Sequence, residues 1–417
     1  MSENNPKATQ QAGQETTSCH SCGSIKGSRK RWEDKRHRRI VDKAIELVKT
    51  GSPAEDIAKL NTWLGRAGFE DSLRAGLYDA DYKEPYTSFL YSSHFYDPDT
   101  EQNYFGNTEP TAKTEALRHF KESLAKRYKT PDAFRDIAYE LGLALHYLTD
   151  LSQPMHAANF INQPILGDLR HEWMEEYADQ NVDDFNVVNY RKSTAIDEEL
   201  ANVDSIEKLV KDLARHSKNV FNKRVQPLLD TMAMRNHMTQ TYTYMNLWAS
   251  SPDNRERTNL ILWESIPRGQ QVAAAFLLLW IRGYETMLEH LYQRFFGRAP
   301  DSKGQQNYIN HFVNDNYTVR DVVREMASSP EYYERNRAVA AVKKIKNREV
   351  LFDDVFNEKK PGPQYQPTEA EMNPTELNHA KWFALVQKMV RSEQYSQRFS
   401  DHQIPGYLRI SMLKSPW

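Results

Sequence analysis

Cysteine is nearly missing from this chain. Its 417 residues include only Cys19 and Cys22, so no disulfide framework holds the fold, and thiol usage gives no compartment. Glycine is scarce, at 16 residues, and β-branched runs are few, which favours a mostly helical protein over a sheet. There is little net charge: the formal value is −2, which points neither to a nucleic-acid binder nor to a supercharged surface. Long apolar runs are missing as well. The longest, VAAAFLLLWI at 272–281, is too short to span a bilayer and reads as a buried core helix. The opening MSENNPKATQQAGQETTS has no apolar h-region and is no Sec signal peptide. A secreted or extracellular protein with this start would leave by a non-Sec route, or its leader lies outside this numbering.

The length is too great for one ordinary core and argues for two domains. Residues 1–31 are polar and low in bulky apolars, and are expected to be a disordered, basic N-terminal tail. A basic run, KGSRKRWEDKRHRR, follows. It reads as a solvated segment flanking the first helix, or as a stretch able to lie on anionic lipid. Ile40, Ala44, Ile45 and Val48 share a helix face, ended by Gly51-Ser52-Pro53. A second helix is expected at about 54–66. Residues 76–110, rich in Tyr, Asp, Pro and Ser, read as one long functional loop. Further helices are expected at about 111–128, 132–150, 170–179, 204–250 (broken near Pro227) and 266–290.

The chemistry concentrates between residues 145 and 177. LHYLTDLSQPMHAANF and HEWMEEY place His146 and Asp150 four apart, His171 and Glu175 four apart, and His156 between the pairs. Residues at i and i+4 share a helix face, roughly 5–6 Å apart at Cβ. Imidazole nitrogen with carboxylate oxygen is a ligand set that zinc accepts. One such pair is as often a salt-bridged helix pair. Two pairs with a third histidine beside them read as a centre for more than one ion. Asp81 and His94, in the Tyr-rich stretch, add two candidate ligands.

The segments HRRIVDKAIEL, GLYDADYKEPY, SSHFYDPD, LGLALHYLTDLSQPMHAANF and RHEWMEEY resemble the bacterial zinc-dependent phospholipase C family, related to the single-strand-specific zinc nucleases. The resemblance runs over residues 32–291. It implies an all-α catalytic domain holding two to three zinc ions, acting at a phospholipid membrane surface as a peripheral enzyme, with no transmembrane segment and no nucleic-acid partner. The first zinc would take Asp81, His94, His146 and Asp150. The second would take His156, His171 and Glu175, with Glu175 leaving a water-occupied position. Asp150 would bridge to a third zinc, which His37 would also bind. Zinc lowers the pKa of its water to about 7, supplying a nucleophile for phosphorus, and Asp81 would be the general base. Phosphatidylcholine would give diacylglycerol and a phosphorylated head group. Tyr82 and Tyr91 match positions that face choline in the family, where an aromatic face attracts the cation. The alternative within the same fold is a single-strand nuclease or 3′-nucleotidase.

The sequence departs from the family at the third zinc. There that ion takes the amine and carbonyl of a processed N-terminal Trp well upstream of the histidine. Here Trp32 lies five residues before His37. Cleavage after Arg31 would expose it. Cys19 and Cys22 are alternative ligands, or simply thiols in a tail. Glu33, after Trp32, matches the family's choline-facing Glu only if that spacing is ignored.

Beyond residue 291 the pattern changes to short helices with turn signals at Gly297, Pro300 and Pro330. GRAPDSKG and SPEYYERN resemble phycobilisome-linker-like helical modules. VREMASSPEYYERN is echoed by HAKWFALVQKMVRSEQYSQRF, across the Pro-rich linker NEKKPGPQYQPTEAEMNP. Residues 292–417 are therefore expected to be a small helical domain with a docking, export or partner-binding role.

Overall fold

The structure is a computed structural model describing residues 33–87, 89–161, 170–187, 206–232, 250–315, 317, 319–343, 382 and 384–387. The expected tail, Trp32, Cys19, Cys22 and the Pro-rich linker lie outside these residues, as does most of the second repeat-like stretch. The described residues form helices and no strand; one isolated bridge joins Asp97 and Gln102. The helices are α1 (Glu33–Gly51), α2 (Ala54–Leu64), α3 (Phe69–Tyr82), α4 (Ala112–Lys129), α5 (Phe134–Asp150), α6 (Pro154–Ala157), α7 (Arg170–Asn181), α8 (Ile206–Val220), α9 (Gln226–Met232), α10 (Pro252–Phe296), α11 (Ser302–Asn314), α12 (Val319–Ser328) and α13 (Pro330–Lys343). A 3₁₀ segment, Phe89–His94, follows α3, and a π turn, Phe221–Val225, joins α8 to α9.

The stretch expected to be loop from residue 76 begins as helix. Phe69, Leu73, Leu77 and Ala80 are buried on one face of α3. Their spacing is a helical stripe, hidden in the sequence by the polar residues that follow. Asp81 therefore sits on the last turn of a helix rather than in a loop.

α3 and α5 meet at their backbones. A Cβ on Gly76 would lie 2.1 Å from the Tyr139 carbonyl, and one on Gly142 would lie 2.1 Å from the Leu73 carbonyl. Only glycine fits at such a crossing. The close approach brings the Leu77 carbonyl to 2.7 Å from His146 Nδ1, so packing of two helices sets the orientation of a site residue.

α10 is the spine. Residues 272–281 are buried throughout, as expected for a core helix, and Trp280 packs edge-on to Trp63 at 5.3 Å. No helix among the described residues is long and apolar enough to cross a membrane. α10 kinks at Gly283, where φ is 62°. The kink frees backbone groups, and α4 satisfies them. Arg127 Nη1 donates to the Trp280 and Ile281 carbonyls at 2.7 and 3.1 Å, and the Tyr284 amide donates to the Tyr128 hydroxyl at 2.9 Å.

The expected boundary at 291/292 falls within α10, past this kink. Gly297, at φ 69°, caps the helix in the left-handed region. Arg335 of α13 donates to the final carbonyls of Arg294 and Phe295 at 2.9 and 2.8 Å. Tyr284 stacks on Phe312 at 4.8 Å, and Trp382 Nε1 donates to the Ala327 carbonyl at 2.8 Å. The C-terminal helices thus pack on the last turns of α10.

Candidate metal centre

Five helices and the 3₁₀ segment deliver the eight candidate ligands to one buried cluster. α1 brings His37, α3 Asp81, the 3₁₀ segment His94, α5 His146 and Asp150, α6 His156, and α7 His171 and Glu175. Their donor atoms fall into three groups whose members all lie within 4.8 Å of one another: His37, His146 and Asp150; Asp81, His94 and His146; His156, His171 and Glu175.

Asp150 is the hub. One of its oxygens lies 2.8 Å from His94 Nδ1 and 3.4 Å from His146 Nε2. The other lies 3.3 Å from His156 Nδ1 and 3.6 Å from His37 Nε2. Its side chain is 2% exposed, against 20% for Asp81 and 21% for Glu175. Asp81 Oδ1 lies 3.4 Å from His146 Nε2 and 3.7 Å from His94 Nδ1. Glu175 Oε1 lies 3.1 Å from His156 Nε2 and 3.4 Å from His171 Nε2.

Without metal, this crowd of charges shifts the titrations of the three carboxylates and of His37, His146, His156 and His171. Burial disfavours ionisation of Asp150, but His146, His94 and His156 overcome it and hold the carboxyl well below its usual range. The same balance lowers Glu175, through His171 and Arg36, and lowers Asp81, through His146. Burial pushes His146 down, yet Asp81 and Asp150 carry it up to about 10. His156 rises to about 9 through Asp150 and Glu175, again against burial. Burial, with His146 and Arg36, holds His37 well below its ordinary value, and burial lowers His171.

The residues fit metal. His171 is fully buried, yet its Nδ1 has no hydrogen-bond partner, and buried His94 Nε2 is in the same state. Buried polar atoms are normally paired. Imidazoles left open around carboxylates are the donor set of a zinc centre. The outer partners fit as well. His146 Nδ1 donates to the Leu77 carbonyl at 2.7 Å, which leaves Nε2 as the ligand atom. Phe95 stacks on His156 at 4.5 Å and stands edge-on to His171 at 5.7 Å, giving that side an apolar wall.

The two expected aromatic contacts are placed differently. Tyr91 lies 5.6 Å from the His94 ring, on a backbone held at φ 62°. Tyr82 stacks on Tyr78 at 4.3 Å. Leu90 and Phe105, at 40% and 51% exposed, are open to solvent, and Tyr104, the neighbour of Phe105, donates to the Leu90 carbonyl at 2.5 Å.

Three participants were not legible as site residues. Arg36 lies in the basic run that reads as solvated, but it is 6% exposed. Its Nη2 lies 3.1 Å from His37 Nε2 and 3.5 Å from Glu175 Oε1. Thr149 Oγ1 lies 2.6 Å from His37 Nδ1. The Leu77 carbonyl carries no side-chain signal at all. For Arg36 the signal was its position beside His37 on the buried face of α1. Lys35, Arg38 and Arg39 do reach solvent, paired with Asp183, Asp42 and Asp183.

Residues 37–239 match the family described as zinc dependent phospholipase C, and residues 282–409, starting beside the Gly283 kink, match the phycobilisome linker polypeptide family. A phospholipase C of Bacillus cereus is 35% identical over 157 residues, covering 37% of this chain and 52% of that protein. A phospholipase C of Listeria monocytogenes is 44% identical over 100 residues, covering 22% and 31%. The chain thus spans about half the length, or less, of these relatives. Among solved structures, the alpha toxin of Clostridium absonum aligns with a TM-score of 0.46 at 21% identity, covering 60% of this chain and 64% of the toxin.

Proposed function

We propose that this chain, whose residues 37–239 match the zinc dependent phospholipase C family, hydrolyses the glycerol-phosphate ester of phospholipids, phosphatidylcholine foremost, to diacylglycerol and a phosphorylated head group. The observation that carries the reading is the convergence of five imidazoles and three carboxylates from separate parts of the chain, with the buried His171 Nδ1 and His94 Nε2 lacking a hydrogen-bond partner. In this reading Asp81, His94, His146 and Asp150 hold one zinc, and His156, His171 and Glu175 hold another. Bound zinc supplies Lewis acidity, which lowers the pKa of water and offsets charge on phosphoryl oxygens.

The chain's own residues divide the remaining work. Asp150, almost sealed from solvent, anchors four imidazoles. Asp81 stays ionised at the more open edge, where it accepts the proton of the attacking water. Glu175, equally open, shares its edge with that water. Phe95 keeps solvent from the His156 and His171 rings. Tyr82 and Tyr91 offer ring faces to a quaternary ammonium, each worth on the order of 0.5–2 kcal/mol. We assign residues 1–31 to a tail, 32–291 to the catalytic unit and 292–417 to a partner-binding module; the match at 282–409 supports the last.

The test is head-group release from phosphatidylcholine, phosphatidylethanolamine and phosphatidylserine vesicles, run beside digestion of single-stranded DNA. Release of phosphocholine with intact DNA is expected. DNA digestion without lipid turnover would overturn the reading in favour of a nuclease.

A further inference from the structure

We infer that Arg36 stands where a third metal ion would otherwise sit, so that the centre holds two ions completed by a fixed guanidinium. Only the part this charge plays in hydrolysis rests on the phospholipase reading.

The hydrogen bonds of His37 come first. Its Nδ1 lies 2.6 Å from Thr149 Oγ1. That hydroxyl spends its own hydrogen on the Leu145 and His146 carbonyls, both at 2.9 Å. Thr149 can then only accept, so His37 carries its proton on Nδ1 and its lone pair on Nε2. The lone pair faces Arg36 Nη2 at 3.1 Å. A guanidinium is always a donor. The electrons that would hold an ion therefore already accept an N–H.

His146 sets the second limit. Its Nδ1 donates to the Leu77 carbonyl, which leaves one ligand atom, Nε2, for two of the three candidate groups. One lone pair serves one ion. If it serves the group with Asp81 and His94, the third position retains only His37 and Asp150 among the described residues. An ion there would have to complete its shell with water in the space that Arg36 Nη2 fills, 3.1 Å from His37 Nε2 and 3.5 Å from Glu175 Oε1, so the position opens only when the guanidinium is removed.

Charge sets the third limit. Arg36 is buried, reaches Glu175 Oε1 at 3.5 Å and receives no release from solvent. A divalent ion beside it would meet an unscreened like charge. Its Nε and Nη1 are buried without a hydrogen-bond partner, so the cation keeps donor capacity unspent. In the hydrolysis proposed above, it supplies positive charge beside the phosphoryl oxygens from the position of an ion.

The experiment counts zinc per chain in the full-length protein by elemental mass spectrometry, at saturating zinc after removal of loosely held metal. Two ions are expected for the wild type and for Arg36→Lys, three for Arg36→Ala, and two for His37→Ala. Three ions in the wild type, loss of one in His37→Ala, or an unchanged count in Arg36→Ala would overturn the inference. Should Arg36→Ala fail to fold, the wild type and His37→Ala decide. Three ions with phosphocholine release overturn only the assignment of Arg36. Two ions without release from any phospholipid overturn the proposed function and leave Arg36 in place.

Discussion

The two halves of the cluster use the same ligand chemistry but differ in how they are held. The Asp150 half rests on α1, α3 and α5, and the Gly76–Gly142 crossing locks α3 against α5. The far nitrogens of His37 and His146 have partners there, Thr149 and the Leu77 carbonyl. The Glu175 half rests on the four-residue α6 and on α7. His171 Nδ1 has no hydrogen-bond partner there, and the carboxylate is 21% exposed where that of Asp150 is 2%. A buried, oriented half keeps a site assembled, while a looser, open one leaves room for water and substrate.

Removing each half's carboxylate charge is the strongest way to break this comparison. Asp150→Asn strips the counter-charge from four imidazoles. It is expected to abolish activity, empty both zinc positions and destabilise the fold by about 3–5 kcal/mol, the cost of breaking a buried ion pair. Metal analysis and thermal unfolding check it. Glu175→Gln is expected to lose zinc from the second position alone and to leave the fold standing. Equal damage from both would erase the distinction between the halves.

Asp81→Asn tests the open edge of the first position. Its turnover number is expected to fall by about 10²–10⁴-fold, the contribution of a general base, with stability little changed. Steady-state kinetics beside a melting curve separate the two effects, and full activity would remove Asp81 from its role.

Gly142→Ala acts on the Asp150 half without touching a ligand. The added methyl meets the Leu73 carbonyl oxygen at 2.1 Å and the Gly76 Cα at 3.0 Å. Overpacking should cost about 1–3 kcal/mol, and displacing the Leu77 carbonyl from His146 should weaken zinc by about 10–100-fold, as loss of an outer partner does. A competition assay with a chelating dye would show it as loss of the first ion before the second.

Part of this comparison was legible in the sequence and part was not. The i, i+4 pairs His146/Asp150 and His171/Glu175 are local, so a helical period is enough to see them. The 272–281 run announces a core helix for the same reason. Asp81 was readable as a ligand but not as a helix residue, because its polar neighbours mask the stripe of Phe69, Leu73, Leu77 and Ala80. Arg36 and the Gly76–Gly142 crossing were invisible for a different reason. Both depend on which distant helix arrives, and no local pattern records that.

The smallest expected effect is on pH. His146 and His156, raised to about 10 and about 9, hold protons that zinc must displace. Zinc affinity should therefore climb from pH 6 towards pH 9. In the metal-free protein, a raised folded pKa gives stability that is complete below about pH 6.5, the unfolded value, and is lost as pH rises through 9–10. Metal-free protein should lose melting temperature between pH 7 and 10. Zinc-loaded protein, its imidazoles already deprotonated, should lose much less. Parallel melting curves for the two forms would contradict this.

The most direct measurement follows phosphocholine release from phosphatidylcholine vesicles while zinc is stripped with a chelator and then restored, with zinc per chain counted at each stage. Release is expected to stop as the ions leave and to return when they are replaced, the result a zinc-dependent enzyme must give. Release that continues at zero zinc, or purified protein that never binds zinc, would contradict it.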